Sequence, residues 1–357
     1  AFRNKLKRRV APNEKRSWMN SLDSMETVVR RSEVPSNCGV LVEYVLPSTS
    51  KRLDFVITGK DENKNKKAVI VELKQWQEAQ KSNTEGLVKT FFSGSLAETV
   101  HPSYQASSYK LFLDEFHEAF YKGGLDSFAC AYLHNYSKEQ PEPLLDDFYS
   151  DQLERAPVFF KRDVDKLEEF LKKHIGKGEG MEILYEIKNG QIRPSKKLVD
   201  HVSNMMEGNE EFILLDDQKI ALEKAKKIAE TDEKSVVIVS GGPGTGKSVV
   251  SMNLFISLLE EQQNTIFIGP NAAFRHALID RLAQDRTKKR IKKLFKGSSG
   301  FVDVEEDKFD ALVVDEAHRL KDDSAFMYQG KNQVKDIIES AQTSIFFIDD
   351  FQSIRPE

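Results

Sequence analysis

The chain has 357 residues, a length that predicts two or three domains, each large enough to bury its own core. Hydrophobic residues make up 39% and charged residues 31%, and the formal net charge of −4 excludes nucleic-acid binding driven by overall charge. Cys38 and Cys130 are too far apart in sequence for a zinc motif or a disulfide framework, and no apolar run approaches the ~18 residues of a membrane span, so we expect a cytoplasmic protein without a signal peptide.

The N-terminal half predicts an α/β domain in which a helix precedes a sheet. Apolar residues at helical spacing predict a helix over 13–32. The polar segment 60–67 between two strand-like runs predicts the tip of a hairpin. Further helices are predicted over 102–120 and 163–176, the second ended by a glycine. The predicted strands cover 39–47, 53–59, 68–76, 127–136 and 156–160.

Two of these strands carry acids that could share a divalent cation. Asp54, Glu72 and Lys74 form a D-(x)17-E-x-K pattern, and strand alternation puts Glu72 and Lys74 on one face. Asp54 and Glu72 are therefore candidate ligands of Mg²⁺, with Mn²⁺ as an alternative, and Lys74 would stabilise charge that develops during phosphodiester cleavage. Alternating charges more commonly mark a solvated face, but the apolar run 68–71 favours a buried strand.

This pattern resembles that of the PD-(D/E)XK nucleases, whose core has the same order of helix, three strands and helix. Arg52 resembles a basic residue common in that family. Gln105 and Tyr109, one helical turn apart, resemble the Q-x-x-x-Y element of RecB-like nucleases. The resemblance implies a restriction-endonuclease-like α/β core with a metal-dependent nuclease site, in which Gln105 contacts the substrate near the metal.

Other side chains are candidates for the same cation. Glu26 or Glu43 could add a carboxylate, although both are also consistent with surface charges. His101 could be a ligand, but a His-Pro pair more commonly caps a helix, and we favour the cap. Trp18 and Trp76 are expected to pack within the domain rather than to stack on bases.

The glycine-rich segment 176–180 marks the clearest break in composition. A mostly helical connector is predicted after it, and from residue 211 apolar strands alternate with helices, which is typical of a parallel sheet covered on both faces. We predict domains at 1–178 and 211–357, joined by the connector 179–210. The second domain is predicted to contain a helix over 217–229 and strands over 235–240, 265–270, 311–316 and 344–350.

The segment GGPGTGKS fits the phosphate-binding pattern G-x-x-x-x-G-K-[ST], with an apolar strand before it and a helix after it. Glycines let backbone N–H groups surround phosphate oxygens, and the helix N-terminus adds positive potential. We expect Lys247 to reach the β- and γ-phosphates of ATP and Ser248 to ligate Mg²⁺. The predicted nucleotide-binding residues of this loop are Gly241, Gly242, Pro243, Gly244, Thr245, Gly246, Lys247 and Ser248.

An acidic pair follows the predicted strand ALVV. Asp315 and Glu316 would lie at the carboxyl end of that strand, where ligands bind in open α/β sheets. We expect Asp315 to hold Mg²⁺ through water, and Glu316 to orient and deprotonate the attacking water.

Together these segments resemble the motifs of superfamily 1 helicases. GGPGTGKS, DEAH and FIDDFQSI resemble motifs I, II and III, with Asp349 and Gln352 in a D-x-x-Q pattern. FILLDDQ resembles the Q motif and IGPNAAF motif Ia. The resemblance implies that Gln352 senses the γ-phosphate, that Gln218 reads adenine, and that motif Ia contacts a nucleic-acid strand.

A more specific resemblance is to the DUF2075 family, bacterial proteins with a Schlafen-like helicase domain, and it covers 211–357. It implies a RecA-like helicase lobe 1. A helicase motor needs a second lobe, motifs IV to VI are absent, and Arg355 lies too close to motif III to act as an arginine finger. Because the chain also begins with Ala1, we expect it to be truncated.

The co-occurrence of both motif sets predicts an ATP-dependent nuclease–helicase that processes nucleic acid, DNA in preference to RNA. The resemblance implies bacterial anti-phage defence or DNA repair, with a homo-oligomer or a defence-system protein as further partner. The basic runs 3–10 and 286–296 are either nucleic-acid patches or solvated helix faces. Two alternatives stay open: a nucleotide-gated switch, and a nucleic-acid-binding module with an inactive nuclease fold and no processive unwinding.

Overall fold

The structure, a computed structural model, describes residues 12–46, 51–92, 94–138, 142–191, 214–269, 275–276, 279–280, 282, 288–320, 330 and 332–352, with side chains at 12–17, 288–290 and 350 excepted. The chain divides into two compact units, Ala1–Ser195 and Lys196–Glu357. Within the described ranges, no helix combines the length and apolar character that crossing a membrane requires.

The first unit is built on a five-stranded mixed sheet in the order β1-β2-β3-β7-β8, in which β1, β2 and β3 are antiparallel and β7 and β8 run parallel to β3. Its strands are β1 (Gly39–Val45), β2 (Arg52–Lys60), β3 (Lys66–Lys74), β4 (Gln80–Lys81), β5 (Leu87–Phe92), β6 (Ser95–Val100), β7 (Asp126–Leu133) and β8 (Val158–Phe160). Its helices are α1 (Pro12–Arg31), α2 (Pro102–Phe116), α3 (Glu118–Tyr121), α4 (Ser150–Arg155), α5 (Val164–Ile175) and α6 (Met181–Asn189).

The two faces of this sheet are set by strand alternation. Val69 and Val71 of β3 pack with Met25 of α1 and Leu171 of α5 in one core cluster. Residues at the intervening positions of β3 therefore face the opposite side, where α2 packs on β3 and β7. Glu72 and Lys74 consequently lie on the α2 side.

A small antiparallel sheet of β4, β5 and β6 lies in sequence between β3 and α2. The sequence predicts no helix or strand over residues 80–100. The strands are short and interspersed with polar residues, so they lack the apolar run that identified the central strands.

The helix predicted over 102–120 is wrong in its extent, because it divides at His117. This residue is extended, with φ −104° and ψ 120°, and its Nδ1 accepts a hydrogen bond from the Ala119 N–H at 3.2 Å. Its Nε2 lies 2.9 Å from the carbonyl oxygen of Ile187. The imidazole thus caps α3 and pairs with the backbone of α6, which offsets the break in α2.

The second unit contains the predicted parallel sheet, in the order β11-β10-β12-β13-β9. Its strands are β9 (Ser235–Ser240), β10 (Thr265–Ile268), β11 (Phe295–Lys296), β12 (Phe309–Val314) and β13 (Ala341–Ile348). Its helices are α7 (Asp216–Ala229), α8 (Lys247–Glu260), α9 (Lys288–Leu294) and α10 (Gln333–Glu339). The α/β class predicted for the chain is confirmed in both units.

The helix α8 is fixed in the core of the second unit. Met252, Leu254 and Phe255 are fully buried, and the Phe255 ring meets that of Phe267 on β10 edge to face at 5.6 Å. Each such side chain contributes roughly 1.5–3 kcal/mol through burial. The N-terminus of α8, where the glycine-rich loop ends, is therefore held rigidly against the sheet.

The sequence predicts a sheet that is covered on both faces. This prediction is correct for the central strands but wrong for β9. Clusters of apolar residues lie on either side of β12 and β13. In the described part of the chain β9 is an edge strand, and Val236 and Ile238 on it are 49% and 64% exposed. The strand that leads into the glycine-rich loop thus has one open apolar face.

Candidate functional site

The loop 241–248 joins the end of β9 to the start of α8. Gly244 and Gly246 have φ values of 73° and 84°, in the left-handed region that favours glycine. A Cβ at Gly246 would also lie 2.4 Å from Nε2 of Gln218. The loop leads directly into α8, so the positive end of the helix dipole lies where phosphate oxygens are expected.

The ammonium group of Lys247 is bound by its own loop and by the end of a neighbouring strand. Its Nζ donates to the carbonyl oxygens of Gly241 and Gly242, both at 2.8 Å, and lies 3.0 Å from Oδ2 of Asp349. Asp349 directly follows β13, which runs parallel to β9, and the Gly241 N–H donates to the Ile348 carbonyl at 3.2 Å. The parallel pairing therefore brings Asp349 beside the loop.

Asp315 and Ser248 form a pair suited to a hard cation. Asp315 follows β12, is 5% exposed, and accepts a hydrogen bond from Ser248. Burial raises the pKa of the Asp315 carboxyl, and the charge of Glu316 adds to this, while the Ser248 hydrogen bond opposes it. Among the residues that the structure describes, Oδ1 of Asp315 is buried with no hydrogen-bond partner. Mg²⁺ fits here, because it prefers oxygen ligands and would compensate this buried charge.

Glu316 has a backbone conformation that is rare outside glycine. Its φ of 50° lies in the left-handed region, which costs a residue with a side chain some backbone strain. Its Oε2 lies 3.3 Å from Nε2 of His318 and 3.2 Å from Nε of Arg319. The carboxylate is thus held in one orientation close to Asp315.

Gln218 contacts the glycine-rich loop directly. Its Nε2 donates to the Thr245 carbonyl at 2.7 Å, and its Oε1 accepts from the Leu215 N–H at 2.9 Å. Gln218 therefore ties the start of α7 to the loop, while its reading of adenine stays a prediction. The first residues of the same motif, 212–213, lie outside the described residues.

The turn Asp350–Gln352 follows β13 and approaches the start of the loop. Gln352 is exposed, and its N–H donates to the Asp349 carbonyl at 3.1 Å. A Cβ at Gly242 would lie 3.8 Å from the ring of Phe351. The predicted γ-phosphate contact of Gln352 stays a prediction, and Arg355 and residues 270–274 of the motif Ia segment lie outside the described residues.

In the first unit, Asp54 and Glu72 lie opposite each other on the neighbouring strands β2 and β3. The register of β2 and β3 pairs Phe55 with Val71, and its continuation sets Asp54 opposite Glu72. Oδ2 of Asp54 accepts a hydrogen bond from the Leu73 N–H at 2.9 Å, so a side chain of β2 binds the backbone of β3 at this end of the strand pair. The two acids predicted to share a cation therefore lie at one end of β2 and β3.

Lys74 connects Glu72 to α2. Its Nζ lies 2.8 Å from Oε1 of Glu72 and donates to Oε1 of Gln105 at 2.6 Å. Nε2 of Gln105 donates to the Tyr109 hydroxyl at 3.1 Å. Glu72 is only 3% exposed, so Lys74 compensates a buried charge. The structure thus brings Glu72, Lys74 and Gln105 together, while their roles in cleavage stay a prediction.

The site in the first unit offers few side chains that could ligate a metal ion. In the described ranges, no group of three or more His, Cys, Asp or Glu side chains is arranged to hold a metal ion. Asp54 and Glu72 supply carboxylate oxygens, the ligand type that suits Mg²⁺ and Mn²⁺. A cation bound by this pair would complete its coordination with water and substrate oxygens.

The additional acids considered for this site have other contacts. Glu26 is exposed and pairs with Arg30 on its own helix. Glu43, opposite Asp54 in the continued β1–β2 register, has a φ of 52° and lies 2.9 Å from Arg52. Arg52 in turn lies over the Trp18 ring at 5.4 Å from its centroid, a packing role for that tryptophan.

His101 caps the N-terminus of α2, which confirms the helix cap predicted from the His-Pro pair. Its Nδ1 accepts from the Ser103 N–H at 3.1 Å, so the proton resides on Nε2, which donates to the Leu144 carbonyl at 3.0 Å. Both ring nitrogens are engaged, and the ring stacks on Tyr149 at 4.5 Å. These contacts require a neutral imidazole, and burial lowers the pKa of His101 to about 4.

We therefore expect the first unit to lose stability in mild acid. The unfolded chain binds a proton at His101 near pH 6.5 but the folded chain only near 4, so stability falls as pH drops through this window. The loss attributable to His101 is on the order of 3 kcal/mol. Urea unfolding at pH 7 and pH 4.5 measures it, and His101→Gln should show a smaller difference between the two pH values. An equal difference in both proteins would contradict this assignment.

Two residues of the second site have no role predicted from the sequence. Asp349 belongs to the D-x-x-Q pattern, and His318 to the DEAH segment, but neither pattern assigns them a contact. Nδ1 of His318 lies 3.3 Å from the Asp349 N–H. The signal that could have located Asp349 is its place directly after an apolar strand, because parallel strands end at one edge of the sheet.

The second site lies in a segment that matches the model of a protein family. Residues 234–357, roughly the C-terminal third of the chain, match the family described as Schlafen group 3, DNA/RNA helicase domain. The second unit is thus similar to a Schlafen helicase-type domain, which relates it to nucleic-acid-associated NTPases. No curated protein sequence matches the chain.

Proposed function

We propose that the second unit is a RecA-like lobe that binds and hydrolyses ATP in the service of nucleic-acid processing. The observation that carries the proposal is the arrangement of Lys247, Ser248 and Asp315 at the carboxyl ends of β9 and β12. This arrangement falls within the range matched to a helicase domain. A glycine-rich loop with a lysine, a hydroxyl and a buried carboxylate is the set that a nucleoside triphosphate and Mg²⁺ require.

Each residue has a distinct task in this proposal. Lys247 binds the β- and γ-phosphates, and Ser248 and Asp315 hold Mg²⁺, which supplies positive charge against the phosphate oxygens. Glu316 orients the attacking water and accepts its proton. Gln218 reads adenine from its position against the loop, and Gln352 senses the γ-phosphate.

We propose further that the first unit is a PD-(D/E)XK-type, RecB-like nuclease domain. Support comes from the buried Glu72, its ion pair with Lys74, and the hydrogen bond that joins Lys74 to Gln105. In this proposal Asp54 and Glu72 hold Mg²⁺ or Mn²⁺, which polarises the scissile phosphate. Lys74 stabilises the charge that develops on the phosphate, and Gln105 orients Lys74 and contacts the substrate.

The whole chain is then an ATP-dependent nuclease–helicase, with the nuclease in the first unit and the ATPase in the second. Its proposed substrate is DNA in preference to RNA, and its proposed setting is bacterial anti-phage defence or DNA repair. One observation favours the alternative of a nucleotide-gated switch: Lys247 and Glu316 both have protein partners that a nucleotide would have to rearrange.

The proposal predicts that nucleic acid stimulates ATP hydrolysis. Phosphate release is measured with Mg²⁺ and ATP, first alone and then with single-stranded DNA, single-stranded RNA or a tailed duplex. We expect a severalfold higher rate with single-stranded DNA and a smaller increase with RNA. Equal rates with and without any nucleic acid would contradict the processing role, and stimulation without strand separation would favour the switch.

A further inference from the structure

The contacts of Lys247 use every hydrogen-bond donor that the side chain has. An ammonium group carries three N–H donors. These meet the carbonyl oxygens of Gly241 and Gly242 and the carboxylate of Asp349. A phosphate oxygen can therefore bind Lys247 only by replacing one of these three acceptors. Asp349 is the acceptor that carries a negative charge, so a phosphate can replace it and keep an ion pair with Lys247.

Asp349 is held in place independently of Lys247. Its Oδ1 accepts the Phe351 N–H at 3.1 Å, and its carbonyl accepts the Gln352 N–H at 3.1 Å. Its own N–H donates to Nδ1 of His318 at 3.3 Å. The residue is only 1% exposed. The flexible side chain of Lys247, rather than Asp349, is therefore the group that can change partner.

The charge of Asp349 opposes phosphate binding in this loop. Burial alone raises the pKa of its carboxyl, but the hydrogen bond and charge of Lys247 outweigh this, and the pKa is lowered overall. Asp349 is therefore ionised at neutral pH. Like charges repel more strongly in a partly buried site than in water, so the carboxylate and a triphosphate compete for the same cation.

The same contacts reach the proposed water-activating residue. Nδ1 of His318 accepts the Asp349 N–H, and Nε2 of the same ring lies 3.3 Å from Oε2 of Glu316 without hydrogen-bond geometry. Lys247, Asp349, His318 and Glu316 form one chain of contacts. Loss of the Lys247 contact therefore changes the charge environment of Asp349, of the turn with Gln352 and of the nearby Glu316.

We propose that Asp349 is a positioning residue that competes with the phosphates of ATP for Lys247, so that binding of the triphosphate leaves Asp349 and the turn that carries Gln352 without this cation. This inference rests on the proposed ATP-binding function. It assigns to Asp349 the task of linking occupancy of the loop to the alignment of the residues after β13.

The test compares nucleotide affinity of the unmodified chain with that of Asp349→Asn. The amide has nearly the same shape and keeps Oδ1 for the Phe351 N–H, but it removes the negative charge. We expect a non-hydrolysable ATP analogue with Mg²⁺ to bind about tenfold more tightly. AMP, which has no β- or γ-phosphate, should bind unchanged. In steady-state hydrolysis KM should fall without a gain in kcat. Glu339→Gln, which removes an exposed charge from α10, should behave as the unmodified chain.

The outcomes separate this inference from the function on which it rests. If the unmodified chain and Lys247→Ala bind the ATP analogue equally, the ATP-binding function fails and the inference fails with it. If binding depends on Lys247 but a folded Asp349→Asn protein binds no more tightly than the unmodified chain, only the inference is overturned. Should Asp349→Asn not fold, hydrogen exchange on the unmodified chain decides: the analogue should change exchange at the Phe351 and Gln352 amides, and no change there would overturn the proposal.

Discussion

Replacing Lys247 by alanine is expected to reduce ATP hydrolysis by about two orders of magnitude or more. The side chain is the cation that the glycine-rich loop presents, at 2.8 Å from two of the loop's own carbonyl oxygens. Alanine leaves the β- and γ-phosphates without this charge and leaves the buried carboxylate of Asp349 beside them uncompensated. Phosphate release at saturating Mg²⁺ and ATP measures the effect.

Lys227→Ala is the matched control for this experiment, because Lys227 is an exposed lysine on α7 of the same unit. It should hydrolyse ATP at the rate of the unmodified chain. Thermal unfolding of both variants should be recorded, since loss of Lys247 also removes an ion pair with a buried partner. A folded Lys247→Ala protein that retains full hydrolysis would show that another site is responsible.

Replacing Glu72 by glutamine is expected to abolish metal-dependent cleavage of DNA, with a loss of at least about 100-fold. The amide keeps the shape of the side chain but is a much weaker ligand for Mg²⁺ or Mn²⁺ than a carboxylate. It also removes the ion-pair partner of Lys74 while leaving Gln105 as a hydrogen-bond acceptor. Cleavage of labelled single-stranded and duplex DNA with Mn²⁺ measures the effect.

Glu78→Gln provides the comparison, since Glu78 is exposed and lies shortly after the same strand. It should cleave as the unmodified chain does. Asp54→Asn should lose cleavage as Glu72→Gln does, because both acids are assigned to one cation. Unchanged cleavage in both Asp54→Asn and Glu72→Gln would reject the assignment of this site, and a lack of cleavage by the unmodified chain would favour a nucleic-acid-binding module.

The elements that the sequence predicted well are those whose pattern is local. The apolar runs of β3, β9 and β12 and the glycine-rich loop carry their own signals, and each lies where it was expected. The break at His117 was missed, because it depends on a contact with Ile187, far along the chain. The sheet of β4 to β6 was missed because its strands are short and polar residues interrupt their apolar ones, so no continuous apolar run marks them.

The candidate sites show the same division between local and long-range information. The E-x-K and Q-x-x-x-Y patterns each have helical or strand periodicity, so their faces followed from spacing alone. The link between Lys247 and Asp349 joins residues 102 positions apart and depends on β13 lying beside β9. The alternation of apolar and polar residues predicts where strands occur but not which strands are neighbours in a parallel sheet. The spacing of residues therefore does not predict that contact.

A crystal structure of the chain with Mg²⁺ and a non-hydrolysable ATP analogue tests the central claim most directly. We expect the β- and γ-phosphates to bind in the loop 241–248, with Nζ of Lys247 about 3 Å from their oxygens and no longer bound to Asp349. We also expect Mg²⁺ to be held by Ser248 and Asp315 beside the γ-phosphate. Phosphates bound elsewhere, or a loop in which Lys247 keeps its contact with Asp349, would contradict it.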